Sequence, residues 1–127
     1  MQFEHFGINV PDATAMAGWY VKHLGMRVVL ASEGAPFMHF LADEGGRVVM
    51  EIYSNPAAPM PDYATEHPMR LHIAFAEPDP GATKDRLIQA GAVLLNENKM
   101  ADGSHLVMLR DPWGIPLQLC KRATPLV

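Results

Sequence analysis

The chain has 127 residues, a formal net charge of −4 and a 49% hydrophobic composition. A chain of this length forms one domain, and this apolar fraction can build a core without disulfides or a structural metal. The acidic balance and the lack of a Lys/Arg cluster argue against nucleic acid or an anionic membrane as partner. No apolar run approaches the ~20 residues of a membrane helix. The single cysteine, Cys120, predicts a reducing, cytoplasmic location.

The first half of the chain predicts one strand, one helix and three further strands. These elements are expected at residues 3–10, 13–24, 26–30, 37–42 and 47–54. Asp12 is of a residue type that caps helix N-termini, and Gly25 can adopt the left-handed conformation that ends a helix. The alternation of apolar and polar residues in the other segments favours strands.

A proline-rich stretch, residues 55–68, lies near the midpoint of the chain. Pro56, Pro59 and Pro61 exclude a regular helix or a central strand there, so we predict a linker. The same order of elements follows it, at residues 70–76, 81–90, 92–95, 105–110 and 115–121. We therefore predict a single domain, residues 1–127, with module 1 at about 1–55 and module 2 at about 69–122.

Each module has the order βαβββ, which places the chain in the α+β class. An open sheet with a helix on one face leaves its other face uncovered unless a second module covers it. Two tandem modules therefore predict a curved eight-stranded mixed sheet, with the helices outside and a metal-bearing cleft inside.

Two pairs of polar residues repeat at the same interval. His5 and His72 are 67 positions apart, and so are Glu51 and Gln118. Because strand side chains alternate between faces, and the apolar neighbours are out of phase with these four, all four should point into the cleft. Burying an unpaired carboxylate is costly, so Glu51 calls for a cation. We predict that His5, Glu51, His72 and Gln118 bind one divalent metal ion, either Zn, Ni, Fe or Mn.

Three further residues are expected to point to the same inner face of the sheet as these predicted ligands. Asn9, Tyr53 and Arg70 could orient a small-molecule substrate, and Arg70 could hold a carboxylate or phosphate. The alternative is that they are rim residues in contact with solvent. The sequence leaves both interpretations open.

Segments Glu4–Asp12, Met50–Ile52, Leu71–Phe75 and Arg110–Leu119 resemble the vicinal oxygen chelate superfamily of glyoxalases, bleomycin-resistance proteins and extradiol dioxygenases. The resemblance implies a metal held by one residue from each of four strands. His5, Glu51 and His72 match the first three positions, whereas Gln118 replaces the glutamate of glyoxalase-like members. The resemblance also implies a homodimer, with modules paired within one chain or between swapped chains.

These features favour a glyoxalase-like enzyme of the isomerase or lyase type. It would bind two neighbouring oxygens of a small substrate through the metal and stabilise an enolate or alkoxide. The base would be Glu51 detached from the metal, or metal-bound hydroxide, because the Gln118 amide cannot take up a proton. Two alternatives remain open. Two histidines and one carboxylate are also the ligand type of non-haem iron enzymes such as extradiol dioxygenases. A bleomycin-resistance-like binding protein would have no catalytic activity.

Overall fold

The computed structural model describes residues 1–126, in which one order of elements occurs twice. Unit 1 contains β1 (Phe6–Asn9), α1 (Ala13–Leu24), β2 (Arg27–Ala31), β3 (His39–Ala42) and β4 (Val48–Tyr53). Unit 2 contains β5 (Ile73–Ala76), α2 (Pro80–Gln89), β6 (Val93–Lys99), β7 (His105–Arg110) and β8 (Pro116–Lys121). The division between the two compact units falls after Pro61. The predicted tandem βαβββ organisation of the α+β class is confirmed.

The strands of each unit form a four-stranded mixed sheet, in the orders β1-β4-β3-β2 and β5-β8-β7-β6. The first strand of each unit pairs in parallel with the last, while the other pairs are antiparallel. Gly7 is in register with Glu51, and Ala74 is in register with Gln118. Ala74 follows Gly7 by the same 67 positions that separate Gln118 from Glu51, so the two pairs occupy equivalent places in the two units.

Helix α1 begins and ends where local signals predict. The Asp12 side chain accepts a hydrogen bond from the backbone N–H of Ala15 at 2.9 Å, and Gly25 has a φ of 69°. In α2, Asp79 caps the backbone N–H of Ala82 in the same way, and Pro80 is the first helical residue. A proline fits there because the first helical N–H has no intrahelical partner. Neither helix in the described residues is long and apolar enough to span a membrane.

Each helix covers one face of its own sheet, which leaves the other face to the polar residues. In unit 1, Met16 and Tyr20 of α1 are fully buried, together with Met50 and Ile52 of β4. Glu51 lies between these two strand residues and is only half-buried, as the alternation of a strand requires. The same alternation in β8 buries Leu117 and Leu119 and leaves Gln118 half-buried.

Two strands begin three residues later than predicted. The first begins at Phe6, not at residue 3, and the fifth begins at Ile73, not at residue 70. Residues 68–70 form a turn, in which the Arg70 N–H donates to the His67 carbonyl at 2.9 Å. His5 and His72 therefore immediately precede strands, where their backbone is not fixed by the sheet ladder.

The second part of the proline-rich stretch, residues 63–66, is hydrogen-bonded to the last residue of β7 and packs against the turn between β7 and β8. The Arg110 guanidinium donates to the carbonyls of Tyr63 and Gly114, both at 2.9 Å, and to that of Glu66 at 2.7 Å. Gly114 has a φ of 86°, and a Cβ atom there would lie only 2.7 Å from the backbone nitrogen of Ala64. Only glycine allows these two backbones to approach so closely.

Candidate functional site

Unit 1 brings together one imidazole and one carboxylate. His5 Nε2 lies 3.4 Å from Glu51 Oε2, and both side chains are partly exposed. Two metal–ligand bonds of about 2.1 Å that meet at a tetrahedral angle separate their donor atoms by about 3.4 Å. His5 and Glu51 are therefore spaced like two ligands of one ion, and that they bind one stays a prediction.

The other nitrogen of the His5 ring is also engaged. Nδ1 contacts the Glu4 carboxylate, and the ring packs edge-on against Phe40 with centroids 5.0 Å apart. With the proton on Nδ1, donated to Glu4, the lone pair of Nε2 would lie on the side of Glu51. Metal-binding histidines are typically oriented by such an acceptor on the distal nitrogen.

Gly7 provides the space in which Glu51 and Tyr53 lie. A Cβ atom at Gly7 would be 3.2 Å from Tyr53 Cε1 and 3.4 Å from Glu51 Oε2. A glycine inside a strand often marks a close approach of another group. That signal was present in the sequence and was not used in predicting the site.

Unit 2 carries the second pair of predicted ligands. His72 Nδ1 donates to the Pro68 carbonyl at 2.9 Å, so this ring has the same tautomer as His5. The Cys120 thiol donates to Gln118 Oε1 at 3.2 Å. Burial raises the pKa of Cys120, although the Arg122 charge opposes this, so the thiol remains a donor at neutral pH. A carbonyl oxygen has two lone pairs, and one remains available on Gln118.

The four predicted ligands thus lie in two pairs, one in each unit. Within residues 1–126, no group of three or more His, Cys, Asp or Glu side chains is arranged to hold a metal ion. The pair in unit 1 shows ligand-like spacing, and both histidines show ligand-like orientation. That all four residues bind one ion stays a prediction.

The three predicted substrate-binding residues differ in their surroundings. Both ends of the Asn9 amide bind the Asn55 backbone, at 3.0 and 2.8 Å, so this side chain fastens the loop after β4. Arg70 is largely exposed and forms an ion pair with Glu66 at 3.2 Å. Tyr53 lies beside Glu51 in the space left by the missing side chain of Gly7, which we call the Gly7 gap. A substrate role for Asn9, Tyr53 and Arg70 stays a prediction, for which Tyr53 has the best position.

A charged cluster that the sequence did not reveal joins α2, β6 and β7. Glu97 accepts hydrogen bonds from Lys84 Nζ and from His105 Nε2, both at 2.8 Å. The Lys84 hydrogen bond, followed by that of His105, holds the pKa of Glu97 below its ordinary value. Hydrogen bonding to Glu97 raises the pKa of Lys84. No sequence motif links these three residues, because each comes from a different element.

Glu97→Gln is expected to destabilise the protein at neutral pH. Because the pKa of Glu97 is lowered by folding, its stabilisation is present above the pKa of an unfolded Glu and is lost as the pH falls through the folded-state pKa. The difference in unfolding free energy between native and variant proteins, measured in urea, should therefore shrink below about pH 4. Asp85→Asn is the control, since Asp85 lies 3.7 Å from Lys84 and is mostly exposed. An equal, pH-independent effect of both changes would contradict this.

Two tandem βαβββ units, each with a four-stranded mixed sheet and one helix, define a glyoxalase-type fold. The chain belongs to the glyoxalase/bleomycin resistance protein/dioxygenase superfamily, whose family model matches residues 2–119. No curated protein gives a significant match.

Several solved structures share this fold. One is a mutant of the fosfomycin resistance protein FosX from Listeria monocytogenes, complexed with Mn(II) and 1S,2S-dihydroxypropylphosphonic acid. Its TM-score is 0.74 and its sequence identity 16%, and the match covers 98% of this chain and 91% of that chain. TnmS3, an antibiotic binding protein from a Streptomyces species, has a TM-score of 0.69 and 18% identity, covering 94% of each chain. A lactoylglutathione lyase from Agrobacterium tumefaciens has a TM-score of 0.65 and 18% identity, covering 94% of this chain and 92% of that one.

Proposed function

We propose that this chain is a glyoxalase-like enzyme that depends on one divalent metal ion and binds two neighbouring oxygens of a small substrate. His5, Glu51, His72 and Gln118 would hold the ion. The observation that carries the proposal is the 3.4 Å separation of His5 Nε2 and Glu51 Oε2. The Nδ1 contacts of both histidines support it, because they leave Nε2 as the lone-pair nitrogen in each ring.

The donor set determines the charge of the proposed centre. Two neutral imidazoles, one carboxylate and one amide leave a divalent ion with about one net positive charge, which favours an anionic ligand with two oxygens. When bound, such an ion polarises a substrate carbonyl. A second carboxylate in place of Gln118 would neutralise the centre, so Gln118 distinguishes this chain from a lactoylglutathione lyase of the usual ligand set.

Glu51 is the residue proposed to move the substrate proton. It is the only one of the four candidates that can act as a carboxylate base, since an amide such as Gln118 takes up no proton. The Gly7 gap leaves room for its Oε2 atom and for the Tyr53 ring on the same face of the sheet. The Tyr53 hydroxyl can therefore donate to a substrate oxygen there. This assignment favours an isomerase or lyase reaction.

A binding protein without catalytic activity is the second candidate. The hydrogen bond from Cys120 to Gln118 Oε1 favours it, because it occupies one of the two lone pairs of the amide oxygen that a metal would need. TnmS3, which shares the fold, is described as an antibiotic binding protein. Metal uptake separates the two functions, since a binding protein of this kind needs no ion.

The test is a calorimetric titration of metal-free protein with Zn²⁺ and with Mn²⁺. The native protein should bind one ion per chain, and Gln118→Glu should bind it at least about tenfold more tightly because it adds a negative ligand. Gln89→Glu is the matched control, since Gln89 lies exposed on α2 and adds the same charge away from the site. Native protein that takes up neither ion would contradict the proposal. An unchanged affinity in Gln118→Glu would place Gln118 outside the ligand set.

A further inference from the structure

Unit 2 contains a pocket of 460 Å³ between its first strand, its last strand and the residues that follow β8. Its apolar lining includes Ala74, Phe75, Ala76, Cys120, Pro125 and Leu126. Sites for small molecules commonly have volumes of ~300–1,000 Å³ and a mostly apolar lining with a few polar groups. The pocket therefore has the size and the character of a ligand site.

Two residues of the pocket lining, Ala74 and Cys120, lie beside the candidate ligand Gln118, which is not itself part of the lining. Ala74 is in register with Gln118, and Ala76 is in register with Cys120. Cys120 also donates to Gln118 Oε1 at 3.2 Å. Because paired residues of neighbouring strands lie side by side on one face, the alanines leave open space next to the Gln118 side chain.

The charges around the pocket are unequal. Lys121 and Arg122 are cationic, whereas Glu77 is the only acidic residue in the lining. Cys120 is buried, which indicates that its part of the lining is poorly hydrated. This combination complements a molecule with an apolar body and one negative charge.

We propose that this pocket binds a small amphipathic anion, with its apolar body against Ala74 and Ala76 and its negative charge at Arg122. The further step, that this anion is the substrate of the metal centre, rests on the proposed function. Its oxygens would then lie on the Gln118 side and its apolar group in the pocket. Ala74 and Ala76 would set the size of the apolar group that is accepted.

The test uses 1-anilinonaphthalene-8-sulfonate, an aromatic anion that fluoresces when bound, with protein in EDTA. Ala76→Phe fills the pocket and should weaken binding at least about tenfold, whereas Arg122→Gln should weaken it about threefold or more. Ala58→Phe and Lys22→Gln are the matched controls, because both positions are exposed and lie outside the pocket lining. Neither control should change the affinity.

A second measurement locates the bound probe, because Val28 and other exposed apolar residues of β2 could also attract it. Cys120 is the only cysteine in the chain, so its alkylation by iodoacetamide can be followed by mass. Saturating probe should slow this reaction of the native protein about fivefold or more.

Unchanged binding in both Ala76→Phe and Arg122→Gln, or unprotected Cys120, would overturn the pocket assignment. Since the assay contains no metal, its result is independent of the titrations of the metal centre. Probe binding that follows the expected pattern in a protein that takes up no metal would remove the proposed enzyme and keep the pocket. Metal uptake without probe binding would overturn the pocket and keep the proposed enzyme.

Discussion

Glu51→Gln is expected to weaken the binding of Zn²⁺ or Mn²⁺ at least about 100-fold, because it removes the only negative charge of the proposed ligand set. The substitution keeps the shape of a side chain that lies 3.4 Å from His5 Nε2, so folding should be little affected. Calorimetry on metal-free protein gives the affinity. Urea unfolding of the same sample shows whether stability is retained.

A graded series of neutral substitutions makes this prediction specific. Glu4→Gln should weaken binding about 10- to 100-fold, because Glu4 acts through Nδ1 of His5 and not on the ion itself. Glu44→Gln, at an exposed position in the β3–β4 turn, should have no effect. Equal losses in all three variants would indicate a general charge effect and contradict a site at His5 and Glu51.

Gly114→Ala is expected to lower the free energy of unfolding by about 3 kcal/mol or more. Two costs add at this position. The backbone has a φ of 86°, which a residue with a side chain adopts only with strain. The new Cβ would also lie 2.7 Å from the Ala64 nitrogen, and backbone cannot move aside as a flexible side chain can. Urea unfolding measures the loss.

Gly103→Ala separates the two costs. Gly103 has a φ of 91°, but a Cβ there would meet no atom within 4 Å. This variant should therefore lose only the ~1–2 kcal/mol of backbone strain. The loss of unfolding free energy in Gly114→Ala should be larger than that in Gly103→Ala, by the cost of separating the segment around Ala64 from the β7–β8 turn. Equal losses in the two variants would show that the close approach contributes nothing.

Local signals in the sequence were enough to predict the helices. Asp12 and Gly25 are a cap and a stop that act within a few residues, and α1 has the predicted bounds. The starts of β1 and β5 were predicted too early, since the pairing begins only at Phe6 with Met50 and at Ile73 with Leu117. Where pairing begins depends on both strands of a pair, so it cannot be read from the pattern of one strand alone.

The candidate site was predictable in part for the same reason. The repeat interval and the alternation of strands identified His5 and Glu51, and the structure brings their donor atoms to 3.4 Å. The orientation of His72 by the Pro68 carbonyl depends on the turn at residues 68–70, of which only the last residue was predicted to be in a strand. Asn9 shares the phase of the ligands, yet its amide is used to bind the Asn55 backbone. The alternation along a strand predicts which face of the sheet a side chain lies on, but not the group to which it is hydrogen-bonded there.

The parallel pairing of β1 with β4 has a consequence for the order of folding. Phe6 must pair with Met50, whereas β2, β3 and β4 pair with their sequence neighbours. Contacts between distant residues require closure of a long loop and form more slowly than local ones. We therefore expect the β2–β3–β4 meander to form first and β1 to be added at its edge afterwards. His5 and Glu51 would meet only in this last step, so contact between these two side chains would indicate that unit 1 has finished folding.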